Sequence, residues 1–121
     1  MSVRGIRGAI TVEVNEVDEI LDATIRLLEG IVEVNQFAPE DICSVLVTVT
    51  QDLDATFPAR AIRQMAGWEL VPLMCSLEVP VKGSLEKCIR LMVHVNTDAS
   101  QSDIRHVYLE GASVLRPDLK A

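Results

Sequence analysis

Five arginines stand where a charge needs explaining: Arg7, Arg60, Arg63, Arg90 and Arg116. Arg90 is the sharpest case. It lies within Cys-Ile-Arg-Leu-Met-Val-His-Val-Asn-Thr (88–97), a run of β-branched and long apolar residues without Gly or Pro, which predicts a strand. Alternation puts Ile89, Leu91, Val93 and Val95 on one face, as core. Cys88, Arg90, Met92, His94 and Asn96 take the other. An unpaired buried guanidinium is costly. Two roles suit it: a sheet-edge arginine that reaches solvent or an internal carboxylate, or a cation held for an anionic substrate. Arg7 repeats the pattern. In VRGIRGAITVE (3–13) it shares a face with Val3, Gly5, Ala9 and Thr11, mostly small neighbours that leave room for its side chain or for a bound group. A bulge carrying an exposed arginine is the other reading there. Arg60 and Arg63, three apart on a short predicted helix, share one face. Because the guanidinium fork matches carboxylates, the set points to a site for a small polyanion.

Other chemistry is poorly provided for. The chain has no G-x-G-x-x-G and no Walker loop. Its two histidines, His94 and His106, are too few and badly spaced for zinc, so no metal is expected. His94 reads as a satisfied sheet residue and His106 as a tail residue. Cys75 or Cys88 would need a partner histidine to act as a nucleophile, and no spacing supplies one; both read as buried or hydrogen-bonding thiols. Glu78 is a lone carboxylate in a predicted loop. The anion site therefore requires no cofactor.

The chain has 121 residues, enough for one domain with a real core. Apolar residues make up 49%, and aromatic ones only 3%, which argues against stacking on nucleobases. Net charge is −7, but residues 13–41 hold nine acids and one base, and the remainder holds nine acids and ten bases. The acidity is local, and the rest of the chain can still bind an anion. The global balance speaks against nucleic acid and anionic membranes as partners. Three cysteines without C-x-x-C spacing suit a reducing cytoplasm, and no run approaches a signal peptide or a membrane span.

The positioning elements follow from hydrophobic period. Asn15 is the expected N-cap of a helix over about residues 16–35, with Val17, Ile20, Leu21, Thr24, Leu27, Leu28 and Ile31 as its apolar stripe. Residues 42–50 read as a buried strand. Pro58 opens a short helix that Gly67 closes. Residues 68–75 read as a strand broken by Pro72, and 76–84 as loop or edge. The strand at 88–97 is followed by a turn. Residues 103–109 read as a last short strand or the extended start of the tail, and 110–121 as irregular. The order β-α-β-α-β-β predicts an α+β domain with a mixed β-sheet and helices packed on one face. The other face would carry Arg7, Arg90 and His94, too polar for a plain core. A homo-oligomer with sites between subunits would resolve this.

Four segments, VRGIRGAITVE (3–13), FPARAIRQMAGWELVP (57–72), CIRLMVHVNTD (88–98) and IRHVYLEGASVLRPDL (104–119), resemble the monofunctional chorismate mutases of the trimeric, Bacillus-type class. The resemblance spans nearly the whole chain, and charged residues match in four separate places. It implies a single domain over 1–121, a pseudo-α/β-barrel homotrimer with active sites at subunit interfaces, and rearrangement of chorismate to prephenate. It also implies roles. Arg90 would face the ether oxygen of the breaking C–O bond, shielded from water. Arg7 would hold a carboxylate, and Tyr108 would donate to it. Glu78 would accept from the ring hydroxyl, with Cys75 beside it. Phe57, Ala59, Leu73, Met74, Ser76, Leu77 and Leu115 would contact substrate, and Arg60, Arg63 and Arg116 would draw in the dianion. Arg60 stands where some relatives carry lysine, and Met74 where others carry a smaller polar residue. Two other readings of the same arginines are a non-catalytic trimeric binding module for a dicarboxylate and an imine or enamine deaminase on a similar trimer.

Overall fold

A computed structural model describes residues 1–115. Five strands form one mixed sheet: β1 (Ser2–Thr11), β2 (Ile42–Val49), β3 (Leu73–Leu77), β4 (Cys88–Thr97) and β5 (Val107–Leu109), in the order β3-β2-β4-β1-β5. β4 pairs antiparallel with both β1 and β2, and β3 and β5 are added in parallel at the edges. Helix α1 (Val17–Asn35) and the short α2 (Ala59–Arg63) lie on the same face.

The expected alternation is what builds the core. Ile89, Leu91, Val93 and Val95 are all buried, together with Ile6 and Ile10 of β1 and Val45 and Val47 of β2. Ile20, Leu27, Leu28 and Ile31 of α1 and Ile62 of α2 close over them. The strand glycine at position 8 marks a close approach. A Cβ there would stand 2.7 Å from Ile31 Cδ1 and 3.1 Å from Leu27 Cδ1. Glycine thus lets α1 sit down on β1.

Some local expectations are corrected. Asn15 does not cap α1. The helix starts at Val17 with Glu16 as N-cap, and the Asn15 side chain instead ties this corner to the 54–55 loop. Its Oδ1 accepts from the N–H groups of Asp54 and Ala55, and its Nδ2 donates to Asp54. A side chain with both donor and acceptor satisfies more groups there than a single cap bond would. The strand expected from residue 68 begins only at Leu73. Trp68 is buried, its N–H and that of Val71 close turns onto Met65 O and Trp68 O, and Pro72 has no N–H to give a ladder. The last strand is shorter than expected, and a 3₁₀ turn over Glu110–Val114 replaces the first part of the irregular tail.

Among the described residues much of the second face of the sheet is bare. Leu46 and Met74 are exposed on it as register partners, and Arg90, Met92 and His94 of β4 and Arg7 of β1 continue the face beside them. His94 is satisfied as a sheet residue by Ser44, with Nδ1 3.1 Å from Oγ.

The tight contact at position 8 is testable. Gly8→Ala is expected to destabilise the protein by about 1–3 kcal/mol through overpacking against α1. Gly5→Ala meets only the flexible Met92 thioether at 3.3 Å and is expected to lower the melting temperature less. Thermal unfolding followed by circular dichroism decides the order.

Candidate active site

The pairing register assembles the site. β1 and β4 place Ala9 opposite Arg90 and Arg7 opposite Met92, so both arginines emerge on the bare face two strand positions apart. β5 adds Tyr108 opposite Ala9. A cavity of about 290 Å³ results, lined by Arg7, Arg90, Tyr108 and Leu115 among the residues expected from sequence, and by Leu46, Thr48 and Met92. Ala9 and Tyr108 of its lining belong to a small buried cluster with Cys88 and Ala112.

Two main-chain details fix the surroundings, although neither His106 nor Glu78 is among the residues that line this cavity. The Arg7 N–H donates to His106 Nδ1 at 2.9 Å, which leaves that ring nitrogen unprotonated and ties β1 to the chain entering β5. Glu78 lies one residue beyond β3, yet its N–H donates to Val49 O at 2.9 Å and continues the ladder. Its carboxylate is thereby aimed at β4. Arg90 Nε stands 3.3 Å from Glu78 Oε2, and Thr48 Oγ1 donates to the same oxygen at 2.8 Å.

Among the described residues nothing supplies the shielding expected for Arg90. Its side chain is 44% exposed, and that of Glu78 27%. Solvent screening keeps such an open pair weak.

The other expected residues do not join this cavity. Phe57, Arg60, Cys75, Ser76 and Leu77 line a separate cavity of about 650 Å³ between β3 and the loop before α2. Cys75 and Leu73 point to the helix side of β3 and pack on the core, so Cys75 does not share a face with Glu78. Ala59 is buried in the core. Arg63 is exposed on α2, and Met74 is 67% exposed on the bare face. Arg116 lies outside the described residues. Thr48, Leu46 and Met92 went unrecognised in the sequence. The one available signal was a hydroxyl at position 48 directly after the apolar stretch 45–47.

Burial pushes the Cys88 thiol up, against the opposing pull of the Arg90 cation. It stays protonated at neutral pH and packs as a buried thiol. Among the described residues no cluster of His, Cys, Asp and Glu could hold a metal ion.

The model of the type I chorismate mutase family matches residues 3–119. The chain belongs to this family. It is 54% identical over 119 residues to chorismate mutase AroH of Bacillus subtilis (strain 168), covering 98% of this chain and 94% of that one. Identity to chorismate mutase AroH of Thermus thermophilus is 49% over 120 residues, with 98% of each chain covered. A solved chorismate mutase from Clostridium thermocellum superposes with a TM-score of 0.88 at 55% identity, covering 91% of this chain and 97% of that chain. The chain is therefore a chorismate mutase, an isomerase, with the α+β fold of that structure. The binding-module and deaminase readings find no support in these relatives.

The buried thiol gives a prediction. In the native enzyme Cys88 is expected to react with an aromatic disulfide reagent far more slowly than it does after unfolding, even at mildly alkaline pH. Mass spectrometry of the labelled peptide measures this.

Proposed function

We propose that this enzyme converts chorismate to prephenate at sites shared between the subunits of a homotrimer, by confining the substrate and stabilising its transition state electrostatically. The observation that carries the reading is the convergence of Arg7, Arg90 and Tyr108 on one cavity in the uncovered sheet face.

The reaction is a unimolecular Claisen rearrangement. One C–O bond breaks while one C–C bond forms, and no proton is transferred. A nucleophile, a metal or a cofactor would have nothing to do. The barrier falls in two ways. The flexible enolpyruvyl side chain must be held over the ring in a reactive conformer. Negative charge growing on the ether oxygen must meet a preorganised donor. Arg90 takes the second task, because its charge is permanent and its strand is rigid. Arg7 and Tyr108 hold a carboxylate, and Glu78 accepts from the ring hydroxyl, which serves the first task. With substrate bound, Arg90 would turn from Glu78 toward the ether oxygen.

Oligomerisation follows from the same face. Leu46 and Met74 are exposed on the bare face, and Phe57 and Leu77 in the second cavity, more apolar surface than an isolated domain usually leaves in water. A neighbouring subunit that covers the face would also bring residues of its own larger cavity to the arginines and exclude water from them. Lower local polarity strengthens the Arg90 field. Of the remaining predicted contacts, Phe57, Arg60, Arg63, Met74, Cys75, Ser76 and Leu77 are the ones placed to contribute to this composite pocket or its mouth, and Leu115 already lines the arginine cavity. Cys43, Cys75 and Cys88 are all unpaired, which supports a cytoplasmic setting. Among the described residues no helix is long and apolar enough to cross a membrane.

Loss of chorismate absorbance in the presence of EDTA tests the activity directly. Arg90→Lys keeps the charge but changes the fork, and kcat is expected to fall by at least about 10²–10³, the range for removing one oxyanion donor. Near-normal turnover would move the key cation elsewhere. Sedimentation equilibrium is expected to give three times the mass of the chain.

A further inference from the structure

Thr48 belongs to none of the roles assigned so far, yet it stands at the junction of three strands. It is the register partner of Arg90 across β2 and β4, and of Ser76 across β2 and β3. Two residues after Ser76 comes Glu78. The Thr48 hydroxyl donates to Glu78 Oε2 at 2.8 Å, and the same oxygen faces Arg90 Nε at 3.3 Å. Thr48 also lines the arginine cavity, half-buried between Val47 and Val49 in a strand whose alternate residues are core.

We infer that Thr48 is a positioning residue of the reaction: its hydroxyl fixes the Glu78 carboxylate, and through it the pair that Glu78 makes with Arg90. The physical argument is one of degrees of freedom. Glu78 lies past the end of β3, where only its N–H bond to Val49 O holds the main chain, and its side chain has three rotatable bonds. A carboxylate on such a stem is poorly defined unless a second group pins it. Thr48 is β-branched on a paired strand, so its own rotamer is restricted. Its hydroxyl gives Glu78 a short bond to a charged acceptor, of the stronger class. The bond also occupies part of the oxygen that Arg90 approaches, which limits how tightly the resting pair closes and leaves the guanidinium available to substrate.

The inference rests on the roles proposed for Glu78 and Arg90, and the experiment separates the two. Wild-type turnover of chorismate is measured first; if it is absent, the roles fail before Thr48 is tested. With an active wild type, Thr48→Val keeps shape and strand preference and removes only the donor. kcat/KM is expected to fall about tenfold or more, the scale of a hydrogen bond to a charged group. Melting temperature is expected to hold, and Thr48→Ser to recover most of the loss. In a Glu78→Ala background the same Thr48→Val change is expected to have little further effect. An equal loss in both backgrounds, or unchanged turnover in Thr48→Val, overturns the inference. If Thr48→Val does not fold, Thr48→Ala in both backgrounds gives the same comparison.

Discussion

A cation planted on the central strand of a sheet must be answered by an anion, and most of this molecule can be understood from that requirement. Arg90 cannot lose its proton, and β4 is held on both sides by neighbouring strands. In the isolated chain the answer comes from Glu78, whose carboxylate is brought within 3.3 Å by a ladder bond past the end of β3. The pair is half open to solvent, so it contributes little stability. Its significance is that the charge is already placed and the resting partner is easily exchanged.

The sheet separates two environments. On the helix side, α1 and α2 seal a dry layer of aliphatic residues, with position 8 left as glycine so that Ile31 and Leu27 can reach the strand. That packing makes the strands rigid. On the other side the same strands present Arg7, Arg90 and Tyr108 around one hollow. Rigidity arises on one face and is used on the other. The small cluster of Ala9, Cys88, Tyr108 and Ala112 joins the two, since it is buried and contributes Ala9 and Tyr108 to the lining of the hollow.

A rearrangement within one molecule suits such a site. It asks for shape and for a fixed field, and an arginine on a strand supplies a field without reorganising. The exposed apolar residues on the bare face and along β3 fit the proposal of a site completed by another copy of the chain, which would remove water from around the guanidinium. Membership of the type I chorismate mutases, with high identity over nearly all of both curated relatives, agrees with a chain that lacks the motifs of nucleophilic or phosphate chemistry.

Much of this was legible in the residues themselves. The period-two pattern of 88–97 separated the helix-side face of β4, with Ile89, Leu91, Val93 and Val95, from the opposite face, because side-chain direction in a strand is set by the backbone alone. Glycine in β1 declared a close approach. What interacts across long separations was not legible. Asn15 looks like a helix cap in one dimension and serves the 54–55 loop in three. Cys75 and Glu78 look adjacent along the chain but face opposite sides of the sheet at β3. Thr48 is an unremarkable strand threonine until register sets it beside Arg90 and Glu78. Local propensity and alternation therefore determined the elements and the faces they present. Only the tertiary structure decided which polar atoms meet, because strand register and chain crossings bring together groups whose separation in sequence carries no trace of their distance in space.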